Sequence, residues 1–103
     1  MKSLSGVSGF EWDEGNRGEN FIKHQVADPE AEETFFNEPH ILLEDEKHST
    51  AENGFALLGK TAKGRKLFVV FTVRGDKIRI ISARDMSKKE KALYEKLETD
   101  TEI

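Results

Sequence analysis

Cysteine is absent from this chain of 103 residues, which excludes a disulfide framework and a thiolate metal site. No apolar run approaches the roughly 20 residues needed to cross a bilayer, so no membrane partner is expected. The opening MKSLSGVSG holds one lysine and no apolar stretch behind it, unlike a secretory leader. A soluble, cytoplasmic protein is the expectation. Only two prolines and eight glycines are present, and no repeat or low-complexity segment breaks the chain. Three histidines, at positions 24, 40 and 48, follow no metal-ligand spacing, so neither a metal nor another cofactor is expected.

What is abundant is charge, at 35% of residues. The net value of −4 conceals an uneven distribution. Residues 1–54 carry 13 acidic and 4 basic side chains, a balance of −9, and residues 55–103 carry 7 acidic and 12 basic, a balance of +5. Such asymmetry points either to a polyanion-binding face in the second half or to mutual attraction of the two halves. The length suits a single domain over 1–103, with residues 1–8 and 99–103 expected to be flexible.

Along the chain, Phe10-Glu11-Trp12 reads as a short strand. Asp13 offers an N-cap for a helix from about 14 to 24, and Asp28-Pro29 repeats the start signal for a second helix. Strands are expected over 40–43, 55–60, 65–74 and 77–83, with Gly75-Asp76 as a tight hairpin turn. Ser87-Lys-Lys-Glu90 is a capping-box signature, opening a last helix with Leu93, Tyr94 and Leu97 on one face and fraying after Glu98. The order β-α-α-β-β-β-β-α gives an α+β domain: a strongly bent antiparallel sheet with two N-terminal helices and one C-terminal helix.

The stretch FTVRGDKIRIISARD, residues 71–85, scatters Arg74, Lys77, Arg79 and Arg84 among alternating apolar residues. With Gly75-Asp76 as the turn, Thr72 opposes Arg79 and Arg74 opposes Lys77. One face then carries Leu67, Val69, Phe71, Val73, Ile78, Ile80, Ser82 and Arg84, and is mostly core. The other carries Phe68, Val70, Thr72, Arg74, Lys77, Arg79, Ile81 and Ala83, and gathers three cations at its hairpin end. Like charges this close repel, so the fold gains nothing from them. A phosphate ligand would, because guanidinium forks match its oxygens. The plainer explanation, a solvated hairpin tip, carries comparable weight on geometry alone.

FEWDEGNRGENFIKHQV at 10–26, FFNEP at 35–39, DEKHSTAE at 45–52, GKTAKGRKLFVVFTVRGDKIRIISAR at 59–84, and Glu90, Tyr94 and Glu95 occur in an order and spacing that resembles the BrnT toxins. These are ribonuclease halves of bacterial type II toxin–antitoxin pairs with a RelE-like fold. The resemblance implies metal-independent cleavage of RNA, in which the 2′-hydroxyl attacks the adjacent phosphate, and inhibition of translation. It implies a BrnA-like ribbon-helix-helix antitoxin as partner, with operator DNA bound only indirectly through that antitoxin. Matched by position, Lys23, His24, His48, Glu52, Arg65, Arg74, Arg79, Ser82 and Arg84 fall on the family pattern. Two positions depart from it. No arginine follows Glu52, where Asn53-Gly54-Phe55 stand, and Gln25 replaces the glycine that commonly ends the first helix.

Arg79, mid-strand, is expected to stabilise charge on the phosphoryl oxygens, with His24 and His48 as candidate proton carriers. Arg74, Lys77, Arg65 and Lys23 would contact the RNA backbone, and Glu52, Arg84 and Ser82 would support the site. Each has a plainer role open to it. His24 could cap a helix end, Lys23 and Arg65 could be solvated, and Arg84 could pair with Glu11 or Glu90 to tie down the last helix. Tyr94 is expected in the core. A rival expectation is a non-catalytic antitoxin-binding module, favoured by the missing arginine. Sequence-specific DNA binding is disfavoured by the negative net charge.

Overall fold

A computed structural model gives the structure, which describes residues 7–12, 17–44 and 54–101. The elements are β1 (Gly9–Phe10), α1 (Glu19–His24), α2 (Asp28–Glu33), β2 (Ile41–Glu44), β3 (Gly54–Lys60), β4 (Lys66–Arg74), β5 (Lys77–Asp85) and α3 (Lys88–Thr101). Five strands form one sheet in the order β1-β5-β4-β3-β2. The protein is α+β, as its patterning indicates, but the sheet is mixed rather than antiparallel. β1 lies parallel to β5, with Gly9 beside Lys77 and Phe10 beside Ile78. Two residues are too few to show periodicity, so neither the partner nor the direction of β1 is encoded locally.

The β4–β5 hairpin keeps the expected register from Arg74–Lys77 to Phe71–Ile80 and then slips by one residue, so that Val70 faces Ser82 and Leu67 faces Asp85. Ile81 is the extra residue of this β-bulge. Beyond it the two faces exchange. Ala83 points into the core, fully buried, whereas Ser82 and Arg84 join the opposite face with Val70 and Phe68. This corrects the expectation that Ser82 and Arg84 lie on the core side. The physical reason is the cost of burying a guanidinium and a hydroxyl among Leu67 and Val69. Strict alternation cannot reveal such a slip.

The main core forms on the face of Leu57, Leu67, Val69, Phe71, Ile78 and Ile80, covered by Val26, Ala31 and Phe35 from the α1–α2 segment. Phe71 is its centre, meeting Phe35 edge-on at 4.9 Å and stacking on Phe55 at 5.6 Å. Gly59 allows the close approach of α2, since a Cβ there would stand 3.0 Å from the Thr34 carbonyl oxygen. A smaller core on the other face joins Leu58, Met86 and Tyr94, flanked by Ile41 and Phe68. Here α3 is seated. The Tyr94 hydroxyl donates to the Pro39 carbonyl at 2.6 Å, and burial pushes the phenol up to about 12.

Side chains close the helix ends. At α3 the expected box is present: Ser87 N–H donates to Glu90 Oε1 at 2.8 Å, and Glu90 N–H to Ser87 Oγ at 3.3 Å. α3 continues to Thr101, three residues beyond the expected fraying point. α2 begins at Asp28 itself, and Asp28 accepts the Gly18 N–H at 3.0 Å instead of capping its own helix. The cap comes from Glu30, which accepts the Ala27 N–H at 3.0 Å. α1 starts at Glu19, later than expected, and the proposed cap Asp13 lies outside the described residues. It ends on Gln25, which is left-handed at φ +58°, and its last carbonyls accept from Arg65.

The same guanidinium grips Asp85, with Nε–Oδ1 at 2.8 Å and Nη2–Oδ2 at 3.2 Å, and reaches Glu30 at 3.4 Å. One side chain thus joins the start of β4, the end of β5, the end of α1 and the first turn of α2. Hydrogen bonding from Arg65 holds the Asp85 carboxyl below its usual range against the opposing effect of burial, with smaller help from Lys91 and His24. Hydrogen bonding from Lys66 lowers Glu95 likewise. Burial pushes Glu90 up, but Arg84 and the Ser87 N–H together outweigh it and leave Glu90 below its usual range.

Two expected outcomes follow from these ends. A left-handed residue with a Cβ costs roughly 1 kcal/mol that glycine does not, so Gln25→Gly should raise the unfolding free energy by about that much, seen as a higher urea midpoint at an unchanged m-value. The depressed carboxyls contribute stability that is present above their unfolded range near about pH 4 and lost as pH falls through their lower folded values. Asp85→Asn should therefore flatten the loss of stability between about pH 5 and pH 3, measured by urea unfolding across that range. An unchanged acid slope would remove the Arg65–Asp85 clamp from the account.

Candidate functional site

The hairpin end of the sheet gathers the cations as its register requires. Arg74 opposes Lys77, and Arg79 opposes Thr72, all on the face opposite the main core. Gly75, at φ +59°, makes the reversal possible. Thr72 is buried between them, whereas Arg74 is 44% exposed. The parallel strand β1 adds groups from the far side of β5. Glu11 donates its N–H to the Ile78 carbonyl at 2.8 Å, and its Oε2 stands 3.9 Å from Arg74 Nη1. Since Arg74 is on β4 and Glu11 follows β1, the two side chains meet above β5. Lys77 Nζ donates to Ser8 Oγ at 2.9 Å, and Ser8 Oγ donates to Asp76 Oδ2 at 2.5 Å. The Ser8 hydroxyl, and then the charge of Lys77, hold Asp76 below the usual carboxylate range.

The chemistry available here is that of an anion bay. Three cations stand on one side of the hairpin, and among the described residues Glu11 faces them from across the sheet and Asp76 from the tip. Arginine forks can pair with the oxygens of a phosphodiester. The loop carrying His48 and Glu52 lies outside the described residues. Its downstream end, Gly54, registers with Thr72, so that strand enters the sheet at the level of Arg79.

The remaining candidates stand elsewhere. Arg65 is at the opposite end of β4 from Arg74, about 30 Å away along the strand. Its guanidinium is engaged by Asp85, Glu30 and the ends of α1. His24 belongs to this second pole through its carbonyl, and Lys23 pairs with Glu19 at 3.0 Å. The structure therefore does not bring His24, Lys23 or Arg65 to Arg79. Arg84 forms a two-pronged pair with Glu90, at 2.9 and 3.0 Å, and lies 4.2 Å over the Phe68 ring. It ties α3 to the sheet, the plainer of the roles expected for it, from the face that the bulge selects. His40 approaches the Asn37 carbonyl at 3.4 Å, beside the α3 seat.

Sequence reasoning did not place Glu11 or Ser8 on the cationic face. The signal that could have found them is the β1–β5 pairing, which a two-residue strand does not announce. It also missed Asp85 as the carboxylate that holds Arg65.

No curated protein matches the chain. Residues 12–90 match the family model described as "ribonuclease toxin, BrnT, of type II toxin-antitoxin system". The matched span takes in β2 to β5, both N-terminal helices and the start of α3, and with them Arg74, Lys77 and Arg79. It begins at Trp12, one residue after Glu11. With the family model matched over most of the chain's length, one conclusion follows: this protein belongs to the BrnT family of ribonuclease toxins of type II toxin–antitoxin systems.

Proposed function

We propose that this protein cleaves RNA by attack of a 2′-hydroxyl on the adjacent phosphate, without a metal ion, and thereby inhibits translation until an antitoxin covers it. The observation that carries this reading is the hairpin register, which puts Arg74, Lys77 and Arg79 on one side of the sheet. Arg79 rises from mid-strand beside buried Thr72, and its role is to stabilise negative charge on the phosphoryl oxygens. Arg74 and Lys77 hold the backbone on either side. A RelE-like sheet accounts for this arrangement. The partner is a BrnA-like ribbon-helix-helix antitoxin in the cytoplasm, and operator DNA is bound only through it.

In this reading Arg84 and Ser82 support the sheet. Arg65, Lys23 and His24 act away from the scissile phosphate. His48, as a proton carrier, and Glu52, as a supporting group, remain part of the proposal and lie outside the described residues. The rival, a non-catalytic module that only binds its antitoxin, is favoured by one feature: Asn53 and Gly54 stand where the family often has arginine.

The test is incubation of the purified, antitoxin-free protein with RNA in EDTA. Fragments ending in cyclic phosphate and 5′-hydroxyl are expected. Arg79→Ala should lower the rate by about 10²-fold or more, with the urea midpoint unchanged. RNA left intact at high protein concentration, together with tight antitoxin binding, would instead establish the interaction module. Fragments that require added Mg²⁺ would overturn the metal-free route.

A further inference from the structure

The cationic face holds a group that an RNA-binding surface alone does not need. Glu11 places a carboxylate among three cations, where it repels the phosphate those cations would attract. Asp76, an acid among the described residues at this end, is accounted for by the Ser8 hydroxyl and Lys77 at the exposed tip. Glu11 is different. Phe10 stands beside Ile78, so Glu11 follows on the neighbouring strand at the level of Arg79, on the same face and one strand spacing of about 4.8 Å away. Its carboxylate leans over β5 towards Arg74, and at 3.9 Å the contact is one of charge rather than a hydrogen bond. The described histidines stand elsewhere, His24 at the Arg65 pole and His40 beside α3.

Resting on the ribonuclease reading above, we propose that Glu11 is the general base that takes the proton from the attacking 2′-hydroxyl. A phosphodiester seated on Arg74 and Arg79 brings its own oxygens to the guanidinium that Glu11 now faces. The carboxylate is left against the sugar side of that phosphate, within about 3 Å of the 2′-oxygen, the reach that general base catalysis requires. The proton then passes from the 2′-oxygen to Glu11 as the 2′-oxygen–phosphorus bond forms. The bond from phosphorus to the 5′-oxygen breaks with its electron pair, and that oxygen takes a proton from water. Glu11 returns its proton to the hydroxide so formed. The products are a 2′,3′-cyclic phosphate and a free 5′-hydroxyl, with no net change in protons. Glu11 is thus both a counter-charge to Arg74 and the base of the reaction.

The test compares the parent with Glu11→Gln on a 5′-labelled single-stranded RNA, with the all-2′-deoxy strand as a non-cleavable binding probe. The variant keeps the side chain's size, and that side chain is 43% exposed, so the urea midpoint should hold. Expected are a fall in kcat of about 10²–10⁴-fold, binding of the deoxy strand equal or tighter, and loss of the acid limb that the parent shows in its pH–rate profile. A parent profile with no acid limb would refute the assignment even if the variant failed to fold. Cleavage by the variant at the parent's rate or faster would show that Glu11 only neutralises Arg74, and would overturn this inference while leaving the ribonuclease reading in place. A parent that leaves the RNA whole would remove both.

Discussion

Everything at the functional end of this protein depends on how β4 and β5 hydrogen-bond to one another. Their backbone ladder runs in two registers joined at Ile81. On the turn side the ladder aims Arg74, Lys77 and Arg79 away from the main core. On the other side the one-residue shift lets Ala83 fill the core and sends Arg84 out over Phe68 to meet Glu90. A hairpin with a single register would have to bury Arg84 or lift Ala83 out. The bulge reconciles a cation-bearing strand with a dry interior, and the same event fixes where α3 attaches.

The uneven charge of the two halves is expressed in part as attraction between them. Acidic side chains of the first half do reach cations of the second: Glu30 meets Arg65, and Glu11 meets Arg74. At the Arg65 pole the carboxylates surround the guanidinium closely, and the result is a structural clamp. At the hairpin tip the ion pairs of Arg74 with Glu11 and of Lys77 with Asp76 stand at 3.9 Å between more exposed side chains. Attraction between halves builds one end of the sheet, and under the proposed function the cations at the other end are what RNA would meet.

Much of this was legible in the residues. The Gly75-Asp76 turn fixes the near register of the hairpin, and Ser87 with Glu90 fixes the start of α3, because both signals are local and each has one physical solution. The order of elements is likewise visible in the alternation of strand and helix patterns. What could not be read depends on distant partners. β1 is recognised by β5 through only two residue pairs. The shift at Ile81 answers a packing demand from Leu67 and Val69. Asp28 and Asp85 serve Gly18 and Arg65 across the fold, not their own neighbours. The family resemblance reached His24 and Arg65 by position, yet only the length of β4 reveals that they sit far from Arg79.

The seat of α3 has a consequence for how a polymer can lie on this molecule. Phe68, under the helix, is four residues along β4 from Thr72, or about 13 Å on the same face. A strand of RNA following the direction of β4 from the arginines would run into α3 within that distance. One crossing the strands near the turn, from the β1 edge over β5 and β4, would not. If RNA binds this face as proposed, the helix would act as a kerb that sets its heading, besides closing the smaller core.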